Sequence, residues 1–216
     1  MKRLTILLML LITSVVIHAQ ICEGLHIVTL RCGDPFTLGH RTSLRAPLSL
    51  SAEHCLMTDA FDVESLALGL GATVGGARTD YSYNALPTAD GGYEDTKLPG
   101  AVYLVNDTRR HLTLGLQGYA HYDVLGQLFD AHNDQIDTYA VLTVGLHSIR
   151  QTREVTPLQT LSPGENASDV IVSHPNRFLM GLQVGCRYWA LPNFGVTFEA
   201  GYDGLSILNI GVNACF

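Results

Sequence analysis

The chain has 216 residues, 47% of them apolar and 15% charged, with 13 Lys and Arg against 20 Asp and Glu and a formal net charge of −7. That acidic balance argues against a nucleic-acid partner, which a basic face would recognise. Five cysteines are an odd number and few for a disulfide framework in an exported chain of this length, and with no CxxC pair a zinc or redox reading is weak.

Met1-Lys-Arg leads into an apolar run from Leu4 to Ile17, interrupted only by Thr5, Thr13 and Ser14, and then His18-Ala-Gln. A cationic start, a short apolar core and a small residue before a polar one predict a secretory signal peptide over residues 1–19, cut after Ala19. The run is shorter than the ~20 residues of a membrane-spanning helix. Gln20-Ile21 lacks the small residues that would precede a lipid-attachment Cys22. Loss of Lys2 and Arg3 makes the remainder more acidic and leaves Lys97 as its single lysine. Residues 20–216 carry no low-complexity linker or helical repeat and are expected to form one domain.

No later stretch is an apolar run of helical span length, so no transmembrane helix is expected. The mature chain instead alternates apolar and polar residues with a period of two. Gly24 to Arg31 is a weak first strand whose faces cannot be assigned. Leu44, Ala46, Leu48, Leu50 and Ala52 then alternate with Arg45, Pro47, Ser49, Ser51 and Glu53, although Pro47 is awkward inside a ladder. Leu66 to Gly75 sets leucines, Ala72 and Val74 against Gly69, Gly71 and Thr73. His111 to Tyr122 and Thr138 to Ser148 repeat the scheme, with Val141 a misfit on the polar side. Phe178 to Tyr188, Phe194 to Tyr202 and Ile207 to Phe216 complete eight strands, the last patterned to its final residue.

The predicted connections alternate in length: 56–63, 124–135 and 190–193 on one side, 32–42, 81–109, 151–176 and 203–204 on the other. Short turns on one side and the longest loops on the other match an eight-stranded antiparallel transmembrane β-barrel with both termini on the short-turn side. The polar face separates this from a soluble barrel: in the last five strands it holds Gly, Thr, Gln, Asn, His and Tyr, with only Arg187 and Glu199 charged. A soluble exterior would be rich in charge, whereas small neutral residues suit the crowded lumen of eight strands. The leucines then face lipid, where a charge at mid-membrane costs about 2–4 kcal/mol, and the apolar faces carry none.

Arg45, Glu53, Arg187 and Glu199 fall on the expected interior, and buried charges need partners. They are expected to form a closed ion-pair network that plugs the lumen, its pairs open until the register is known. Glu53 and Arg187 near strand ends would alternatively reach water. Tyr122, Tyr188, Trp189 and Phe194 at the short-turn ends, with Phe178 and Tyr202 at the other, predict an aromatic girdle at the two membrane surfaces.

The segment Gly181 to Phe216, "GLQVGCRYWALPNFGVTFEAGYDGLSILNIGVNACF", together with "LTLGLQGYAHYDVL" and "TYAVLTVGLHS", resembles the small outer-membrane β-barrels of the OmpA/OmpX-like superfamily, in the version common in Bacteroidetes. The resemblance covers the final segment well and the rest loosely; the cysteines depart from it, and no peptidoglycan-binding domain is seen. It implies an outer-membrane location in a Gram-negative bacterium, contact with outer-membrane lipid, and a terminal Phe216 that the barrel assembly machinery reads as part of its signal.

Other chemistry finds less support. The loop 81–109, with Asp90, Glu94, Asp95 and Asp107, reads as a solvated acidic loop or as a site for a surface partner or divalent ion. His147-Ser148 with Asp169, Ser173 and His174 offers parts for nucleophilic catalysis, yet neighbours on a strand face opposite ways, so His147 is badly placed to activate Ser148. Nine histidines are scattered without metal-ligand spacing. No catalytic, cofactor or metal site is expected. A structural or surface-interaction role leads, with a narrow ion or solute channel and a lipid-modifying enzyme as alternatives. Asn106-Asp-Thr and Asn166-Ala-Ser are read as chance sequons; Cys22 with Cys32 stays an open pairing, and Cys186 with Cys215 is disfavoured by opposite faces.

Overall fold

The computed structural model describes residues 23–34, 36–38, 43–63, 65–89, 92–95, 103–124, 127, 135–158 and 169–216; the expected signal segment, Cys22, Asp90 and Asn166 lie outside them. Among the described residues, eleven strands form one antiparallel sheet: β1 (His26–Gly33), β2 (Ser43–Leu44), β3 (Leu48–Met57), β4 (Leu66–Pro87), β5 (Tyr93–Asp95), β6 (Tyr103–Tyr122), β7 (Ile136–Pro157), β8 (Asp169–Ser173), β9 (Asn176–Leu191), β10 (Phe194–Tyr202) and β11 (Leu208–Cys215). Eight of them close a ring in the order β1, β3, β4, β6, β7, β9, β10, β11 and back to β1.

Strict alternation makes the two faces of this ring unlike. Leu116 is 72% exposed and Gln117 2%; Leu182 is 64% exposed and Gln183 1%; Ile210 is 64% exposed and Asn209 2%. Within the ring, leucines and valines, with phenylalanines on β9 and β10, point outward, and threonine, glutamine, asparagine and the ionised groups Arg31, Glu53, Asp137, Arg187 and Glu199 point in. Soluble domains sort the other way. Burying such a side chain fully is worth about 1.5–3 kcal/mol, and these remain partly open on the outer face.

The ring closes between the first and last strands. β1 and β11 pair from Ile27↔Cys215 to Gly33↔Asn209. The pairing continues to the last residue: the His26 N–H donates to the Phe216 carbonyl at 3.1 Å, and the Phe216 N–H to the His26 carbonyl at 3.0 Å. The far end of the seam is held by Asp34. Its carboxylate accepts from the N–H groups of Ile207 at 2.6 Å, Leu208 at 2.8 Å and Thr37 at 3.2 Å. Next to it, Asp203 Oδ1 accepts from the Leu205 and Ser206 amides at 2.8 and 2.7 Å, and Gly204 at φ +100° supplies the turn that joins β10 to β11.

Several boundaries differ from the sequence reading, among them the end of β7 and the strand β8 within the expected 151–176 connection. The second ring strand begins at Leu48, after Pro47, because proline has no N–H to give to a ladder; Pro47 serves instead as an acceptor for the Gly33 N–H at 2.8 Å. The residues read as an 81–109 loop are mostly strand. β4 and β6 run on as a paired hairpin from Gly76↔Leu112 to Ala85↔Tyr103, and β7 extends beside them to Pro157. β5 flanks β4 at its tip, and β8 flanks β7 at residues 151–155. A sheet extension therefore rises from one side of the ring, at the end where the longer connections lie.

Asp34 carries a pH prediction. Its slight burial pulls the carboxyl pKa up, but hydrogen bonds from Leu208, Ile207 and Thr37 outweigh that and hold it below the ordinary carboxylate value. A carboxyl depressed in the folded state contributes stability above its unfolded pKa and loses it as pH falls through the folded one. The Ile207 and Leu208 amides should exchange hydrogen faster as pH drops below about 4, once intrinsic exchange rates are corrected for, and Asp34→Asn should remove the pH step. Unchanged protection across that range would contradict this role.

Candidate functional site in the barrel interior

The inward side chains bond across the lumen as well as between neighbours. Arg187 on β9 donates from Nη2 to Glu53 Oε2 on β3 at 2.7 Å and from Nη1 to Asp137 Oδ2 on β7 at 3.2 Å. His121 on β6 lies against the same two acids, with Nε2 at 2.6 Å from Glu53 Oε1 and Nδ1 at 2.8 Å from Asp137 Oδ1. The four groups form a closed cycle, and their side chains are 7% exposed or less. With an acceptor at each ring nitrogen, His121 satisfies both bonds only as the imidazolium, which donates from both. Two carboxylates then meet two cations, and the cycle is neutral.

Nearer the extension lies a second set. Arg31 on β1 donates to Glu199 Oε2 on β10 at 2.8 Å and to Thr73 Oγ1 at 3.2 Å. Glu199 also accepts from Tyr139 Oη at 2.7 Å and Gln183 Nε2 at 3.3 Å. The Arg187 guanidinium sits 4.2 Å from the Tyr139 ring centre and 5.7 Å from that of Tyr119, so the tyrosines join the two sets. Tyr119 donates to Gln117, and Gln117 to Thr143.

Glycines make the room. Gly185 lies beneath Tyr139, where a Cβ would collide with the phenol ring; a Cβ on Gly71 would come 3.0 Å from the Tyr119 ring, and one on Gly211 3.0 Å from Arg31 Cγ. At the short-turn end, Leu25, Ile27, Cys55, Ala67, Trp189 and Cys215 pack into an apolar floor. At the other end Leu205, 1% exposed, folds inward from the β10–β11 turn close over Gly75.

The network differs in membership from the sequence expectation. Glu53, Arg187 and Glu199 lie inside, Glu53 and Arg187 in one set and Glu199 in the other. Arg45 does not: it is exposed, ahead of β3, with its N–H 3.4 Å from the Arg78 carbonyl. Pro47 breaks the alternation that would place it inward. Arg31 provides the missing cation, on the strand whose faces the sequence leaves unassigned. His121 lies on the polar face of its strand, where the pattern alone gives it no role, and Asp137 lies one residue outside the expected strand; the Tyr139, Val141, Thr143 parity extended one step back reaches it.

Of the girdle residues, Tyr122, Tyr188, Phe194, Phe178 and Tyr202 point outward. Trp189 does not: 3% exposed, it faces inward because Tyr188 beside it faces outward. Phe216 is exposed, and its ring stacks on His26 at 5.7 Å. Val141, the misfit, is buried inside against Tyr119 and Tyr139.

On the extension, Ala85, Val105 and Val155 are buried with Tyr83, Tyr93 and Tyr103 packed against them. Asp107, 5% exposed, faces Arg109 at 3.3 Å, Arg153 at 3.6 Å and Gln151 at 2.8 Å. Asp95 accepts from Tyr81 Oη at 2.6 Å. Among the described residues, Asp95 and Asp107 thus have separate partners, and no cluster of three or more His, Cys, Asp or Glu residues that could hold a metal ion is formed. On the outer face, Asp80 is held below the ordinary carboxylate pKa: slight burial opposes this, but hydrogen bonds from Arg78 and Thr108 and the charges of Arg78 and Arg45 prevail.

The residues weighed for catalysis are not assembled. His147 faces inward with Nε2 3.1 Å from His111 Nδ1, while Ser148 pairs with Asn176 and Ser173 with Gln151 further along the extension. Cys32, Cys186 and Cys215 are free thiols.

No family model and no curated protein matches the chain. Among solved structures it is similar to Ail, the attachment invasion locus protein of Yersinia pestis, at 10% identity over 90% of this chain and 100% of that one, TM-score 0.41. It is similar to the N-terminal β-barrel domain of Pseudomonas aeruginosa OprF at 12% identity, over 90% and 98%, TM-score 0.43. The outer membrane protease OmpT of Escherichia coli is similar at 10% identity, over 90% and 94%, TM-score 0.48. Likenesses at this level carry no functional inference, and the Bacteroidetes form of the resemblance gains no support from these three.

The neutral cycle predicts the cost of breaking it. Arg187→Met should destabilise the protein by about 3–5 kcal/mol in urea unfolding, because Glu53 and Asp137 are left with one cation between them. Adding Glu53→Gln to Arg187→Met should cost less than the sum of the two single changes, with a coupling of roughly 1–3 kcal/mol in the double-mutant cycle. Additive costs would dissolve the cycle as an energetic unit.

Proposed function

We propose that the chain is an integral outer-membrane β-barrel of a Gram-negative bacterium, without enzymatic activity, whose extension and longer connections face outward and serve a structural or surface-interaction role. The observation that carries this reading is the inverted sorting of the ring: an exposed leucine, valine and phenylalanine band around a buried polar interior. Hydrocarbon is the surrounding that such a band fits. The closed ring suits that surrounding too, because an unpaired backbone group in lipid costs several kcal/mol and a closed ring has no open edge.

The lumen is read as plugged. Charged and aromatic side chains bond across it in two sets, the apolar floor fills one end, and Leu205 covers the other. A narrow ion or solute channel would need these groups to part. In this reading Phe216, paired with His26 at the seam, is where the barrel assembly machinery engages the C-terminal strand, and Tyr122, Tyr188, Phe194, Phe178 and Tyr202 sit at the membrane surfaces.

Fractionation should recover the chain in the outer membrane, and its migration on a detergent gel should shift on boiling. Leu116→Arg, in the middle of the band, should cost about 2–4 kcal/mol of folding stability in lipid vesicles, while Gln117→Thr on the opposite face should cost far less. Planar bilayers holding the purified protein should show no stable conductance steps; clear single-channel steps overturn the plugged lumen. A mature chain that folds as a monomer in plain buffer overturns the membrane reading altogether.

A further inference from the structure

Where the extension leaves the ring, the register sets Arg78, Arg110 and Arg150 directly opposite one another on β4, β6 and β7. All three have the parity of the outward leucines, and Arg45 adjoins them through its N–H to the Arg78 carbonyl. Like charges directly opposite on a sheet repel, so such a row is unfavourable unless an anion relieves it. Asp80 does so for Arg78 alone, with contacts of 3.0 and 3.1 Å. Arg110 and Arg150 are exposed, and among the described residues no carboxylate pairs with either.

Two residues toward the ring, roughly 7 Å along the strands, the same face is apolar and hollow. Leu48, Gly76 and Leu112 stand in line across β3, β4 and β6. The missing side chain of Gly76 leaves a shallow, open depression of about 270 Å³ between Leu30, Leu48, Leu50, Val74 and Leu112. A Cβ at Gly76 would meet nothing nearer than the His111 carbonyl at 3.5 Å, so the space is not needed for packing within the chain.

We propose that this depression and the arginine row above it form one binding site for a membrane lipid with an exposed phosphate group, an acyl chain lying over Gly76 and the phosphate held by Arg110 and Arg150 with Arg78. The site rests on the membrane reading above. A guanidinium fork matches phosphate oxygens in geometry and charge. A free phosphate would leave the depression unused, and a zwitterionic lipid would offset the charge that draws it to the row.

The test is native mass spectrometry of the full chain, refolded in detergent micelles and titrated with phosphatidic acid or with phosphatidylcholine of the same acyl chains. The wild type should retain phosphatidic acid at least about tenfold more strongly. Arg110→Gln with Arg150→Gln should weaken that retention roughly thirtyfold, at about a factor of five for each surface arginine. Gly76→Leu should weaken it several-fold by filling the depression. Folding of each variant is checked by its heat-dependent gel shift; should the double variant not fold, Arg150→Gln alone should lower retention about fivefold. Equal retention of the two lipids, or no effect of Gly76→Leu, overturns the site. A barrel that needs detergent yet ignores phosphatidic acid overturns this inference alone; a chain soluble in plain buffer overturns the membrane reading first.

Discussion

The pairing of β1 with β11 is the constraint on which the other features depend. In the membrane reading proposed above, hydrocarbon around the leucine and valine band replaces water as a surrounding, and a sheet without that seam would present two rows of unpaired N–H and C=O groups to it. At one end of the seam His26 and Phe216 exchange both backbone bonds, and Asp34 ties the opposite end. Closure also fixes the scale of the interior, because eight strands enclose a space that side chains can fill.

Filling that space with polar groups raises an electrostatic difficulty that the interior meets by neutrality. An unpaired charge there is costly, and each of Arg187, Glu53, Asp137, His121, Arg31 and Glu199 has an oppositely charged neighbour. The bonds span strands that are not adjacent in the ring: β3 reaches β9, and β1 reaches both β10 and β4. They act as struts across the barrel, so the side chains and the ladders restrain the same cross-section. Strut and glycine belong together, since Tyr139 reaches Glu199 only because Gly185 leaves its ring a place to lie.

The ring is legible in the sequence because an interior packed with small polar groups and an apolar exterior leave a period-two signal in every strand. That signal stops where the apolar band stops. Beyond Gly76 and Leu112 both faces are mixed, and the continuation of β4, β6 and β7 rests on Tyr, Thr and Val and on backbone pairing, which hydrophobic alternation does not register. The cation on β1 escapes the pattern for a related reason: Thr29, Arg31 and Ile27 all face in, so that strand mixes polar and apolar residues on one side. Arg45 is misplaced when the alternation is carried through Pro47, and Trp189 when it is grouped with Tyr188, although neighbours on a strand must diverge. Ion-pair partners depend on which strands face each other across the lumen, and no local pattern encodes that.

The ring and the extension answer to different demands. Within the ring an inward change disturbs a strut, a glycine seat or the charge balance, and an outward change meets the apolar band. The extension has its own small core of Ala85, Val105 and Val155, and its ion pairs around Asp107 and Asp80 close locally between β4, β6 and β7. Side chains at its tip can therefore change without reaching the struts. The arginine row stands at the boundary between the two, where like charges in line with a hollow apolar face satisfy neither the core of the extension nor the band of the ring. Their arrangement is unfavourable for the isolated chain and becomes favourable when an amphiphile supplies the acyl chain and the negative charge together.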